Sequence, residues 1–154
     1  MSVALMAGCG QSQAPTQSAQ QDDILRGADG MRDFGDYVVY VNALTTDRLT
    51  PEVASTYDVA RSPGRAMLSI SIHRKQDEGP AIAVAGELTT TAVNLPGQVR
   101  TVPMREIREA EAIYYIGETE VTDQETLTYS IDFLPEGDTD PLSLRFQRQF
   151  FVDR

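Results

Sequence analysis

Thr126-Leu127-Thr128-Tyr129-Ser130-Ile131-Asp132-Phe133 alternates polar and apolar side chains without a break. Successive side chains of a β-strand point to opposite faces, so period two marks a strand with one buried face. The pattern assigns Leu127, Tyr129, Ile131 and Phe133 to a core, and Thr128 and Asp132 to solvent. Residues 142–152 repeat it through Leu142, Leu144, Phe146, Phe150 and Val152. Arg148 falls on the apolar parity there, which predicts a bulge or an exposed strand end. Residues 66–74 alternate through Leu68, Ile70 and Ile72, with Met67, Ser69, Ser71 and His73 on the polar face. Residues 82–92 give Ile82, Val84, Leu88, Thr90 and Ala92, and Gly86 among them predicts a bulge or a close contact.

Residues 36–45 and 112–121 are apolar on both faces (Val38, Val39, Tyr40, Val41; Ile113, Tyr114, Tyr115, Ile116), which suits central or covered strands. Residues 98–108 form a less regular strand that Pro103 places at an edge. Asn94-Leu95-Pro96-Gly97, Glu109-Ala110-Glu111 and residues 135–141 carry turn chemistry. One helix is predicted. Thr50 caps it, Pro51 takes its first position, Glu52 favours its positive end, and it runs to about Tyr57. About seven strands with turns at intervals of roughly ten residues make an all-β, immunoglobulin-like β-sandwich with one short helical connection.

The chain has 154 residues, which suits one domain, placed at residues 33–154. Its formal net charge is −10. Phosphate contacts require clustered cations, so nucleic acid is not an expected partner. Lys75 is the only lysine among 13 basic residues. An acidic, lysine-poor chain suits a salt-exposed compartment, and a compositional bias toward arginine explains it equally well. Cys9 is the only cysteine and His73 the only histidine, so neither an internal disulfide nor the usual zinc arrangements are available. No cofactor and no metal are expected.

Residues 1–8 are small and apolar up to the Gly8-Cys9 pair, after which the chain turns polar. Leu5-Met6-Ala7-Gly8-Cys9 resembles a bacterial lipobox, a signal in which the cysteine becomes the N-terminus and carries the lipid. Ala7 and Gly8 match its small positions, and Met6 departs from the usual Leu, Val or Ile. No Lys or Arg precedes Cys9 and the apolar run is short, so a true initiator upstream is expected. Residues 11–21 lack any large apolar side chain and cannot offset the entropy of ordering, so residues 9–32 are expected to form a polar tether. The expected location is the periplasm, anchored to a membrane. Gly10 after the cysteine, where Asp does not stand, favours the outer membrane.

Few residues suggest catalysis. His73 lies on a polar strand face with neighbouring serines, but no Gly-x-Ser-x-Gly elbow accompanies it. Met67, His73 and Met104 are too few for a copper cluster. Glu136, Asp138 and Asp140 could supply calcium oxygens, though a full calcium loop needs more ligands. Glu118 and Glu120 share one strand face about 6.5 to 7 Å apart, a spacing compatible with an inverting carboxylate pair. The expectation is a non-catalytic binding or accessory module with another envelope protein as partner. The alternative is a hydrolase whose carboxylate site is hidden in the linear sequence.

Phe34-Gly35-Asp36-Tyr37-Val38-Val39-Tyr40, Arg105-Glu106-Ile107-Arg108-Glu109, Ala112-Ile113-Tyr114-Tyr115-Ile116-Gly117-Glu118 and Pro141-Leu142-Ser143-Leu144-Arg145-Phe146 resemble segments of domain of unknown function 4426, an uncharacterised proteobacterial envelope family. The resemblance runs from about Phe34 to Asp153. It implies an exported, sandwich-like protein and no recognised catalytic set.

Within that stretch, Arg105, Arg108, Tyr114 and Tyr115 make the expected binding surface. Adjacent strand residues face opposite ways, so one tyrosine fills the core and the other is left outward beside arginines. The more routine arrangement for the same residues is a charge ladder, with Arg105 and Arg108 pairing with glutamates across the hairpin.

Overall fold

The structure is a computed structural model, and it describes residues 24–152. Among them, eleven strands form two sheets packed as a sandwich. One sheet runs in the order β1 (Ile24–Arg26), β11 (Leu142–Gln149), β10 (Thr126–Pro135), β6 (Gly86–Asn94), β7 (Val99–Thr101). The other runs β2 (Asp29–Asp33), β3 (Tyr37–Thr45), β4 (Arg65–Arg74), β9 (Ala112–Glu120), β8 (Met104–Glu109), with β5 (Ile82–Ala83) pairing the end of β4. No helix of the described residues is long and apolar enough to cross a membrane.

The sandwich agrees with the sequence, and the strand count exceeds the expected seven for local reasons. The 82–92 segment divides into β5 and β6, which belong to different sheets. The 98–108 segment divides around Pro103, which has no N–H for a ladder, so β7 ends one sheet and β8 ends the other. The remaining two strands correct the expected tether. Residues 24–32 are not a tether, because β1 and β2 occupy most of them. Residues 11–21 lack large apolar side chains, whereas Ile24 and Leu25 bring apolar area. Leu25 packs against the core, and β1 pairs in parallel with β11, Leu25 opposite Phe146. The chain then crosses between sheets at Gly27, whose φ of +127° is costly for any residue with a Cβ. Cys9 and the rest of the expected tether lie outside the described residues.

The main core lies between the sheets. β10 contributes Leu127, Tyr129, Ile131 and Phe133, each no more than 1% exposed, as the alternation requires. Facing them are Val39, Val41 and Ala43 of β3, Leu68, Ile70 and Ile72 of β4, and Tyr115 of β9. Leu144 and Phe146 follow on β11, where Tyr129 stacks on Phe146 at 6.2 Å. Fully burying one such side chain contributes roughly 1.5–3 kcal/mol. β11 ends at Gln149, one residue past Arg148, so a strand end lies where the parity predicted one, but Arg148 itself is half-buried, its guanidinium over the Phe150 ring at 5.9 Å.

Thr128 corrects the register reading in one respect. It faces away from the core as expected, yet it is only 7% exposed. β10 is a central strand, and its neighbours close over the outer face. The Gln147 amide crosses from β11 and donates to the Thr128 hydroxyl at 3.1 Å. Asp132, on the same face, is exposed and accepts from the Ser143 hydroxyl at 2.5 Å.

The helix is α1, Pro51–Thr56, with the Thr50 hydroxyl accepting from the Val53 N–H at 3.3 Å. It packs on the outer face of the β2–β8 sheet and creates a second apolar cluster of Leu49, Ala54, Val59, Met67 and Ile116. Met67 is therefore buried under the helix, although its strand parity placed it on a polar face. Thr46 fixes the approach. Fully buried, its hydroxyl donates to the Ala60 carbonyl at 2.8 Å and accepts from the Ser62 N–H at 2.9 Å.

Candidate functional site

α1 covers only part of that outer face. Beyond the cover lies an open groove of about 480 Å³. Its lining comes from four neighbouring strands: Asp29 and Met31 of β2, Tyr40 and Asn42 of β3, Ser69 and Ser71 of β4, and Tyr114 of β9. The pairing register sets these in two rows. Met31 stands opposite Tyr40, and Tyr40 opposite Ser71. Tyr114 continues this row, one step past the paired Ile70 and Tyr115. The second row holds Asp29, Asn42 and Ser69. Tyr40 and Tyr114 thus rise from strands on either side of Ser71, with backbones about 9.5 Å apart.

The polar groups of this face are unspent. Among the described residues, no hydrogen bond engages the side chains of Asn42, Ser69, Ser71 or Tyr114, all of them half-buried. Tyr40 is 46% exposed and Met31 53%. Tyr40 is held upright by an edge contact with His73, ring centroids 5.5 Å apart. At the helix end, burial pushes the Tyr57 phenol above its ordinary pKa, and nearby Glu109 and Tyr114 act in the same direction.

The four residues expected to form a binding surface are divided between two faces. Tyr115 fills the core, and Tyr114 points outward into the groove, as the strand parity required. Arg105 is on Tyr114's side and donates from Nη2 to the Tyr57 carbonyl at the end of α1. Arg108 is on Tyr115's side, at one end of the sandwich, and donates from Nε to Glu106 Oε1. The cross-hairpin ladder does not form, because Arg108 takes its partner two residues back on its own strand. Tyr115 completes that cluster. Its hydroxyl donates to Glu106 Oε2 at 3.1 Å and accepts from the Gly86 N–H at 3.0 Å. The Arg108 hydrogen bond holds the Glu106 carboxyl below its usual range, against some desolvation, and burial pushes the Tyr115 phenol up. A phenol so raised is a structural donor and a poor nucleophile.

The acidic candidates are engaged in other ways. Asp138 accepts from the Tyr37 hydroxyl at 2.5 Å, and Arg74 donates to the same phenol at 2.9 Å. Glu118 lies 3.5 Å from Arg65, and Glu120 is exposed. Among the described residues, no group of three or more His, Cys, Asp or Glu is placed to hold a metal ion.

A further carboxylate, Glu125, escaped the sequence reading. It is 9% exposed, pairs with Arg100 at 2.5 Å, and accepts from the Thr122 N–H at 2.9 Å. Burial works against its charge, but these donors and Asn94 outweigh it and hold its pKa below the ordinary value. A depressed folded-state pKa stabilises the fold above the unfolded value, near 4.3, and that contribution is lost as pH falls through the folded value. Glu125→Gln should therefore cost roughly 1–3 kcal/mol at pH 7 in urea melts. The gap to the parent should narrow on acidification below about pH 4. An unchanged gap at low pH would mean that the charge is not what stabilises.

Tyr40, Asn42, Ser69 and Ser71 were not picked out from the sequence as site residues. Their only signal there is shared parity, at spacing two within each strand, on faces that carry polar side chains among apolar neighbours.

The family model Domain of unknown function (DUF4426) matches residues 31–153. A crystal structure of a DUF4426 family protein from Pseudomonas aeruginosa PAO1, at 2.09 Å resolution, is similar with a TM-score of 0.69 and 24% identity. The match covers 82% of this chain and 98% of that one, and at this identity it is a likeness of fold. No curated protein matches the sequence.

Proposed function

The chain belongs to the DUF4426 family, a domain of unknown function, and from that premise we propose a non-catalytic binding module of the cell envelope, tethered to a membrane through a lipid on Cys9. The binding half is carried by one observation. Three half-buried polar side chains without a hydrogen-bond partner among the described residues, Asn42, Ser69 and Ser71, share a groove with Tyr40 and Tyr114. A ligand that pairs with these groups as it covers the face gains affinity, and one that covers them unpaired loses it. Tyrosine adds area and a hydrogen bond at low entropic cost. Such a face recognises by contact and needs no nucleophile or general base.

The tether half rests on Leu5-Met6-Ala7-Gly8-Cys9 and the polar run after it. Anchored in this way, the domain would sit in the periplasm, the outer membrane being the favoured surface, and present its groove to envelope components. Two measurements test the halves separately. Cells expressing the gene with its upstream region should incorporate labelled palmitate into the protein, and Cys9→Ser should abolish it. Labelling that survives removes the tether. For the groove, Tyr40→Ala with Tyr114→Ala should release an envelope component that the parent captures, at unchanged melting temperature, whereas Arg108→Ala should not. Capture lost only with Arg108→Ala would move the site to the Tyr115 end of the sandwich.

A further inference from the structure

We infer that the outer-face groove takes a neutral saccharide chain. The inference rests on the binding reading above and names the ligand class for that site. The lining argues against anions, lipid tails and strand-adding peptides. Anionic ligands need cations, and the groove has none: Asp29 is its one charged residue, in a chain of net charge −10. A lipid tail would leave the Asn42, Ser69 and Ser71 groups buried without partners, which is unfavourable. A peptide that adds as a strand is recognised through main-chain hydrogen bonds at a sheet edge. The floor here is a strand face, with β2 the edge strand at one side and β3, β4 and β9 each laddered on both sides.

A pyranose ring meets the remaining chemistry. Its C–H face packs on an aromatic ring, and its rim of hydroxyls both donates and accepts. Tyr40 and Tyr114 supply two aromatic faces separated by the width of two strand spacings, about 9.5 Å at the backbone. Between and beside them, Ser71, Ser69 and Asn42 offer hydroxyl and amide groups that no protein partner occupies among the described residues. The His73 edge contact fixes the Tyr40 ring before any ligand arrives. Fixing the ring in advance reduces the ordering cost of binding.

The test titrates the full chain with a panel of neutral tetrasaccharides built from glucose, galactose or N-acetylglucosamine. The sequence has no tryptophan, so tyrosine emission reports stacking, and calorimetry gives the affinity. The expected result is saturable binding of at least one panel member, weakened about tenfold or more by Tyr40→Ala and by Tyr114→Ala, with melting temperature unchanged. Tyr40→Phe should retain most of the affinity, because the stacking face survives. No binding at millimolar saccharide, or binding that survives both alanine substitutions, overturns the inference. If no saccharide binds but the tyrosine variants still release the captured envelope component, the ligand class is wrong and the binding reading stands. If the variants change neither, both are wrong.

Discussion

Phe133→Ala should lower folding stability by about 3–5 kcal/mol, read as a lower urea midpoint at an unchanged slope. Phe133 is 1% exposed and stands where three elements meet. On its own sheet it lies between Leu88 of β6 and Leu142 of β11. Across the sandwich its ring meets Tyr115 edge to face at 5.7 Å. Truncation removes the ring's burial and leaves a void among Leu88, Leu142 and Tyr115 that closes only in part. Ser130→Ala, on the outer face of the same strand, should cost well under about 1 kcal/mol. Equal losses at the two positions would mean that the register of β10 is wrong.

Gly86→Ala should be about as damaging, roughly 3 kcal/mol or more, although it adds one methyl group. A Cβ at Gly86 would stand 2.1 Å from the Leu134 carbonyl oxygen and 2.7 Å from the Phe133 ring. The first obstacle is backbone of the central strand, so relief requires β6 to move from β10. That movement also draws the Gly86 N–H from the Tyr115 hydroxyl. Gly64→Ala is the control. Its nearest neighbour would be the Val121 carbonyl at 3.7 Å, ordinary contact, and its loss should be small. Because Phe133 forms part of the Gly86 clash, the double variant should lose less than the two single losses added. Strict additivity would show that the two sites do not touch.

The core was legible because period two is a strong signal in a strand with one buried face. Residues 126–133 and 142–152 stated their inward sets outright, and Thr50-Pro51-Glu52 stated a helix start. What the sequence obscured depends on neighbours distant in the chain. Met67 has polar-face parity, and only the helix packed over it makes that position apolar. Thr128 is covered because β11 lies beside it. Pro103 reads as an edge signal, but that the chain changes sheets there follows from where β6 and β9 end up. Of the expected binding residues, Tyr114 reaches the groove and Arg105, Arg108 and Tyr115 do not line it. Alternation already sent one tyrosine inward, but which arginine shares the outward tyrosine's face depends on the β8–β9 pairing, which sets Arg105 opposite Ile116 and Arg108 opposite Ile113. The groove joins β2, β3, β4 and β9, a juxtaposition that no local window contains.

The central claim is that recognition takes place on the outer face of the β2–β8 sheet. Backbone amide shift mapping during titration with solubilised envelope components reads the site residue by residue. The account predicts perturbations confined to the two rows around Tyr40, Asn42, Ser69, Ser71 and Tyr114, and their loss in the Tyr40→Ala, Tyr114→Ala double variant. Perturbations centred instead on Gly86, Glu106 and Arg108, with the outer face silent, would contradict it.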